Sequence, residues 1–181
     1  MKKKFIFLGL ATLMLGVTFP AHAQVDFGLG AGVNYNRYLG DMKKEDFKIS
    51  RDYFSYLVSA RMEFLGFLGA EAIFDYYPGQ DDIDYSMTPK ATATLGLIGN
   101  IIQVGAGINK TYTKIKLSGG GSEGEWSDLS YHLKAGVQIP LGDIWLNADA
   151  YYFVDQFKYD KIVKDFDEDM ITFGARVHYH F

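Results

Sequence analysis

Apolar and polar residues alternate strictly along the last part of the chain, from Ile171 to Phe181. Every second residue starting at Ile171 is apolar or aromatic, and the residues between them are polar or small. A period of two places these two sets on opposite faces of a β-strand. The segment is therefore predicted to be a strand with one apolar face and one polar face.

Seven earlier segments repeat the alternation, so the pattern predicts eight strands in all. Each is close to the ~9–11 residues that a tilted strand needs to cross a lipid bilayer. The predicted strands cover residues 25–35, 55–64, 68–76, 91–97, 102–109, 129–139, 144–152 and 171–181.

The segments that connect the strands alternate between long and short. The short ones centre on Gly66, Gly99 and Gly142, and the long ones are Leu39–Tyr53, Pro78–Pro89, Thr113–Ser127 and Asp155–Asp169. Short turns at one end, long loops at the other and an even strand number are typical of membrane β-barrels. The sequence thus predicts an all-β fold, an eight-stranded antiparallel up-and-down transmembrane β-barrel.

A soluble eight-stranded barrel is the alternative fold. It would turn its apolar face inward and its polar face to water, and it gives no reason for such regular differences in loop length. In a lipid bilayer the apolar face points outward and the polar face lines the lumen. A lumen enclosed by eight strands is just wide enough for side chains to fill it.

The first residues of the chain have the features of an export signal. Lys2, Lys3 and Lys4 precede the apolar run Phe5–Phe19, and Ala21-His22-Ala23 has the small-x-small pattern of a cleavage site. The run is short for a membrane-spanning helix, and a proline follows it. We expect residues 1–23 to be a signal peptide and residues 24–181 to form one barrel domain.

Composition agrees with this interpretation. Hydrophobic residues make up 48 % of the chain, yet no further segment is long and apolar enough for a spanning helix. A barrel reconciles the two because only half of each strand needs to be apolar. The chain has no cysteine, which excludes disulfides and thiolate metal sites. Removing the three signal-peptide lysines takes the formal net charge from −4 to −7, which argues against nucleic acid as a partner.

Alternation, loop asymmetry and the aromatic residues Tyr179 and Phe181 together resemble small outer-membrane β-barrels of the OmpA/OmpX type, often described as porin-family or outer membrane beta-barrel domain proteins. The resemblance covers residues 24–181. It implies a monomer in a Gram-negative-type outer membrane, in contact with lipid and lipopolysaccharide. It also implies that Tyr179 and Phe181 form an assembly signal for the barrel-assembly machinery. No peptidoglycan-binding domain is expected after the barrel.

Charged residues on the polar faces are the first candidate site. Arg61, Glu71, Lys134, Asp149 and Arg176 are predicted to face inward near mid-height. Unpaired charges there would be costly, so we expect an ion-pair network that plugs the lumen. The alternative is a gate in a narrow channel.

Histidines are the second candidate site. His178 and His180 lie two residues apart on the inward face of the last strand, a spacing that would suit a metal or a general base. Two ligands are too few for a metal site, and a thiol is lacking. A lipid A deacylase of the barrel class carries a His-x-Ser element, but His180 stands where that serine would be. His132 follows Ser130 on the lumen face, whereas a lipid-modifying base and nucleophile should face lipid.

Acidic clusters in two predicted loops, Asp81–Asp84 and Asp165–Asp169, are the third candidate. They lack EF-hand spacing, so solvated charge is favoured over calcium binding. Lysines near the outer rim are expected to pair with lipopolysaccharide phosphates.

The expected function is envelope integrity or surface interaction through four outer loops, with no enzymatic activity, metal or cofactor. A narrow porin-like channel for ions or small solutes is the alternative, and a lipid-modifying enzyme ranks third.

Overall fold

Ten β-strands form one sheet in the computed structural model of the protein. The structure describes residues 25–43, 48–117, 120–154, 156–158 and 160–181, without the side chains of residues 161, 163 and 168. The predicted signal peptide lies outside these residues and stays a prediction. The strands are β1 (Val25–Tyr35), β2 (Phe54–Phe64), β3 (Leu68–Tyr77), β4 (Ile83–Leu97), β5 (Ile102–Asn109), β6 (Tyr112–Lys116), β7 (Ser122–Trp126), β8 (Ser130–Leu141), β9 (Ile144–Val154) and β10 (Ile171–His180).

Eight of these strands close into a barrel. The order around the ring is β1, β2, β3, β4, β5, β8, β9 and β10, with β1 pairing back to β10, and all neighbours are antiparallel. The first and last strands meet in a register that runs from Gly28 opposite His180 to Tyr35 opposite Phe173. The predicted eight-stranded antiparallel barrel is confirmed.

Tight turns connect strands at one end of the barrel, as the sequence predicts. They join β2 to β3, β4 to β5, and β8 to β9, and their backbone is left-handed at Leu65 and Gly66, at Ile98, Gly99 and Asn100, and at Gly142. Residues with positive φ suit the twist of two-residue hairpin connections. We call this end the inner end and the opposite one the outer end.

The outer segments differ from the prediction in two places. The predicted loop Pro78–Pro89 is wrong for its larger part, because β4 begins at Ile83. The predicted loop Thr113–Ser127 is also wrong, because it contains most of β6 and all of β7. These strands extend the sheet beyond the barrel, since β4 pairs with β6 and β6 with β7. The strands pair there, with a register shift between Ile83 and Tyr85, although the alternation of apolar residues fades.

The other two outer segments contain short helical turns. The first carries α1 (Leu39–Met42) and a 3₁₀ turn (Arg51–Tyr53), and the last carries a π-helical turn (Asp160–Lys164) and a 3₁₀ turn (Glu168–Met170). An ion pair of 3.1 Å joins Lys43 to Asp169, so the two segments meet over the outer end. Within the described ranges, no helix has the length and apolar composition to cross a membrane.

Burial is inverted relative to a soluble protein. Outward-facing residues such as Leu29 and Val58 are 59 % and 58 % exposed, whereas the inward Lys134 and Arg176 are 2 % and 3 % exposed. Water-soluble proteins seldom bury unpaired lysine or arginine. An apolar exterior around a polar interior is the arrangement of a barrel whose outer wall contacts lipid.

Candidate functional site

Four buried charges form a closed ring across the middle of the lumen. Lys134 Nζ lies 3.0 Å from Glu71 Oε2 and 3.1 Å from Asp149 Oδ1. Arg176 completes the ring, because its guanidinium bridges the same two carboxylates. We call these four residues the charge ring. They come from β3, β8, β9 and β10, and their side chains are at most 2 % exposed.

The charge ring has two cations and two carboxylates, so its formal charges cancel. Arg176 donates to Asp149 Oδ2 through Nε at 3.0 Å and also through a terminal nitrogen, while Asp149 Oδ1 faces Lys134. A low dielectric makes every missing partner costly. Removal of any one member would therefore leave buried charge on the others without its full set of partners.

Arg61, the fifth residue predicted for this network, lies in a separate cluster toward the inner end. Its guanidinium donates to Gln103 Oε1 at 2.7 Å and to Gln138 Oε1 at 2.9 Å, and it pairs with Glu63 at 3.2 Å. Asn100 donates to the other Glu63 oxygen at 2.5 Å. The structure thus brings four of the five predicted residues together and gives Arg61 amide partners in the neighbouring layer.

An apolar layer covers the charge ring on its outer side. Leu57, Ile73 and Tyr151 pack together inside the lumen, and Tyr151 is only 1 % exposed. Phe153 packs against them and is the next lumen-facing residue after Tyr151 on β9. Three successive layers, apolar, charged and amide-rich, therefore fill the middle of the lumen.

His178 is hydrogen-bonded on both ring nitrogens within these layers. Asn147 Nδ2 lies 2.9 Å from its Nδ1, and Ser59 Oγ and Glu71 Oε1 lie 2.8 Å and 3.4 Å from its Nε2. With the amide nitrogen as donor, Nδ1 accepts and Nε2 carries the proton. A nitrogen that donates to a hydroxyl cannot accept its proton. This arrangement does not suit a general base acting on Ser59.

The other two predicted histidines are also held by neighbouring side chains. His132 contacts Thr92 at 2.8 Å and Asn109 at 3.2 Å, and no hydrogen bond joins it to Ser130 among the described residues. His180 contacts Asp26 at 3.1 Å near the inner end, and its ring stacks on Trp145 with centroids 4.0 Å apart. In the part of the chain that the structure describes, no three His, Asp or Glu side chains converge to hold a metal ion.

Glycines on the inward face leave the space that these side chains occupy. Gly28, Gly30 and Gly32 of β1 lie opposite His180, His178 and Arg176 of β10. A methyl group at Gly30 would overlap the His178 ring, and one at Gly32 would overlap Arg176. The bare face of β1 is therefore required by the bulky face of β10.

The lumen is open toward its outer end. A cavity of about 600 Å³ lies there, bordered by inward side chains that include Asp75, Lys90, Asn109 and Phe153. Lys90 Nζ pairs with Asp75 Oδ2 at 2.9 Å, and Asn34 Nδ2 donates to the same oxygen at 2.5 Å. We call this space the outer chamber. The sequence analysis did not predict this chamber, although Asp75 and Lys90 both lie at alternating positions that face the lumen on β3 and β4.

The end of β10 presents aromatic side chains to the outside. Tyr179 and Phe181 are 55 % and 70 % exposed, and their rings stack with centroids 6.4 Å apart. Phe181 N donates to Phe27 O at 2.9 Å, which fixes this segment against β1. The predicted assembly-signal residues thus lie on the outer wall, near the inner end.

The two acidic loop segments lie in different surroundings. Asp84 pairs with Lys114 at 3.3 Å in the extended sheet, and Asp169 pairs with Lys43 at 3.1 Å. These pairs satisfy carboxylates that a calcium ion would need as ligands.

Comparison with known proteins agrees with the fold. The family model for the outer membrane protein beta-barrel domain matches residues 9–181. No curated protein matches the chain.

Among solved structures, the chain is similar to the crystal structure of Ail, the attachment invasion locus protein of Yersinia pestis, in complex with the heparin analogue sucrose octasulfate. The two share 16 % identity with a TM-score of 0.46, over 87 % of this chain and 99 % of that chain. The match of the family model extends over nearly all of the sequence and points to the outer membrane. The chain belongs to the outer membrane protein beta-barrel domain family.

Proposed function

We propose that the protein is a non-conducting outer-membrane barrel that serves envelope integrity or surface interaction through its outer loops and lipid-facing wall. The charge ring is the observation that carries this proposal. Its four members are buried, mutually paired and covered on one side by the apolar layer of Leu57, Ile73 and Tyr151. A continuous water path would have to break several buried ion pairs, which is costly.

Planar-bilayer conductance of the purified protein tests the closed lumen. We expect no sustained openings from the unmodified chain or from Lys164→Ala, which removes an exposed lysine paired with Asp160 at 2.7 Å. Openings that arise only in Lys134→Ala would support the plug, because that change removes one member of the charge ring. Sustained openings of the unmodified protein, altered by Lys134→Ala and not by Lys164→Ala, would instead favour a narrow channel.

The outer segments are proposed as the part that meets other surfaces. Phe157 and Phe166 of the last segment are 54 % and 51 % exposed, so apolar groups lie outside the barrel wall. Replacing residues 39–53 and 155–169 by tight turns should abolish surface attachment while the barrel still assembles. Cells that carry the shortened barrel and keep both attachment and detergent resistance would contradict this role.

Lipopolysaccharide is the proposed lipid partner of the outer rim. Lys114 lies 5.5 Å from the ring centroid of Tyr85, and Lys110 lies 5.7 Å from that of Trp126. Ammonium groups held beside interfacial aromatic rings suit the phosphates of an outer leaflet. Lys110→Gln/Lys114→Gln should weaken co-purification of lipopolysaccharide with the folded protein, whereas Lys164→Gln should not.

Assembly through Tyr179 and Phe181 is proposed from the resemblance and from the exposure of both rings. Phe181→Ala should lower the amount of folded barrel in the outer membrane, read from heat-dependent gel mobility. An unchanged folded fraction would count against the signal. A monomer is proposed as well, to be checked by light scattering in detergent.

Absence of enzymatic activity is also a proposal. The hydrogen bonds of His178 place its proton toward Ser59, and both groups face the filled lumen and not lipid. Lipid A mass spectra from cells with and without the protein should be identical. A change in acyl number would overturn this proposal.

A further inference from the structure

The outer chamber has the size and lining of a ligand site. Its volume of about 600 Å³ falls within the ~300–1,000 Å³ of small-molecule sites. A smaller cavity of about 160 Å³ adjoins it and shares Asn36, Asp75 and Thr88. Tyr38 and Met170, from the first and last outer segments, border its outer side. A ligand would therefore enter from outside the barrel.

The polar groups at the base of the outer chamber are incompletely paired. Asp75 is 6 % exposed, and its Oδ1 has no hydrogen-bond partner among the described residues. Lys90 is 7 % exposed and has three N–H donors, yet within the described ranges it donates only to Asp75. Ser55, which borders the smaller cavity, also has an Oγ without a partner among the described residues. Buried polar groups are normally satisfied, so these orphan atoms need an explanation.

We propose that the outer chamber binds a neutral polyhydroxylated molecule of the sugar class. One hydroxyl of a vicinal pair donates to the free oxygen of Asp75, and its neighbour accepts from Lys90. Each sugar hydroxyl both donates and accepts, which matches a carboxylate and an ammonium held side by side. The carboxylate can turn toward the ligand because the terminal torsion of aspartate is broad.

Charge balance disfavours simple ions. Lys90 lies 2.9 Å from Asp75, so a simple cation meets the ammonium and a simple anion meets the carboxylate. Asp167 adds negative charge to the chamber lining, which disfavours anions further. An acyl chain would fill the space and leave the orphan polar atoms without partners, at a desolvation cost.

Aromatic rings complete the lining that a sugar needs. Phe153 borders the outer chamber, and Lys90 Nζ lies 5.6 Å from its ring centroid and 5.1 Å from that of Tyr151. These contacts hold the ammonium beside Asp75 at the base of the chamber. Phe153 supplies an apolar wall for the C–H face of a pyranose ring, as in amphiphilic ligand pockets.

Binding can be measured on the full barrel by saturation-transfer NMR in a detergent without a sugar headgroup, such as a dimethylamine oxide. The probes are glucose, galactose, mannose and N-acetylglucosamine, with choline, phosphate and glycine as a cation, an anion and a zwitterion. We expect saturable binding of at least one sugar and none of the three ionic probes. Absence of sugar binding, or binding of an ionic probe in its place, would overturn the proposal.

Matched substitutions locate the site. Asp75→Asn and Lys90→Met should each weaken sugar binding by about tenfold or more, since each removes one charge-assisted hydrogen bond. Asp160→Asn and Lys164→Met make the same chemical changes in an exposed ion pair of 2.7 Å and should leave binding unchanged. Equal affinity in all four variants would overturn the assignment.

A space-filling variant covers the case in which a charge change prevents folding. Asn36→Trp places a large ring in the chamber wall and leaves the Asp75–Lys90 pair intact. It should abolish sugar binding in protein that still shows the heat-dependent gel mobility of a folded barrel. Sugar binding retained by folded Asn36→Trp would place the site elsewhere and overturn the proposal.

Discussion

The charge ring and the Asp75–Lys90 pair are two sets of buried ions in one lumen. In the charge ring, each cation meets two carboxylates and apolar or amide layers close both sides. In the outer chamber, one cation meets one carboxylate beside a cavity of about 600 Å³, and one carboxylate oxygen has no partner among the described residues. The same residue types thus act as filling where their pairing is complete and as a binding surface where it is incomplete.

Removing one member of the charge ring should have the largest effect. Lys134→Met leaves Arg176 as the one cation shared by Glu71 and Asp149, so the ring keeps an uncompensated negative charge, and breaking a buried pair costs about 3–5 kcal/mol of stability. Urea unfolding in lipid vesicles measures the loss. The double variant Glu71→Gln/Lys134→Met, which restores neutrality, should lose less than the two single changes added together. Strict additivity would contradict a coupled ring.

An added methyl group should lower stability in the packed layers and have little effect on stability at the outer chamber. Gly30→Ala inserts a carbon where the His178 ring lies, and overpacking costs roughly 1–3 kcal/mol. Ser130→Thr adds the same group at the border of the outer chamber and should leave the unfolding free energy nearly unchanged. The same urea experiment compares them. Equal losses would mean that the chamber is as tightly packed as the ring.

The Asp75–Lys90 pair should contribute less to stability than the charge ring. Lys90→Met leaves Asp75 with its bond from Asn34 and with water from the chamber, so we expect a loss of roughly 1 kcal/mol. The same change at the exposed Lys164 should cost at most about 0.5 kcal/mol. Unfolding curves for Met at positions 134, 90 and 164 should fall in that order. If Lys90→Met lowered the unfolding free energy as much as Lys134→Met, the Asp75–Lys90 pair could not be distinguished from the charge ring as a binding surface.

The barrel strands could be predicted because lipid and lumen impose opposite demands on alternate residues. β1 coincides with its prediction at Val25–Tyr35, and the last strand begins at Ile171 as predicted. The extended part of the sheet lies outside the closed ring of eight strands. β7 (Ser122–Trp126) is exposed throughout, so its sequence lacks the alternation that marks a membrane strand. Its backbone pairing could not be read from polarity.

The partners inside the lumen could be predicted only in part. The alternation predicts which residues face the lumen. It does not predict which of them lie at the same height along the barrel axis, because that depends on the stagger of the strands. Arg61 lies opposite Glu71 in the register, yet its guanidinium reaches Gln103 and Gln138. The outer chamber was hidden for a related reason. Lys90 directly follows the predicted loop Pro78–Pro89 and precedes the predicted strand 91–97, so the alternation pattern does not assign its side chain to the lumen.

The glycines on the lumen-facing side of β1 affect how the register between β1 and β10 is set when the barrel closes. Because Gly28, Gly30 and Gly32 are alike, a slip of β10 by two residues would still set most of its bulky groups over glycine. The correct alignment is therefore read at the two ends of the seam. Asp26 meets His180 at one end, and Gly174 makes room for Asn34 at the other, so the first and last strands carry their alignment marks at their tips.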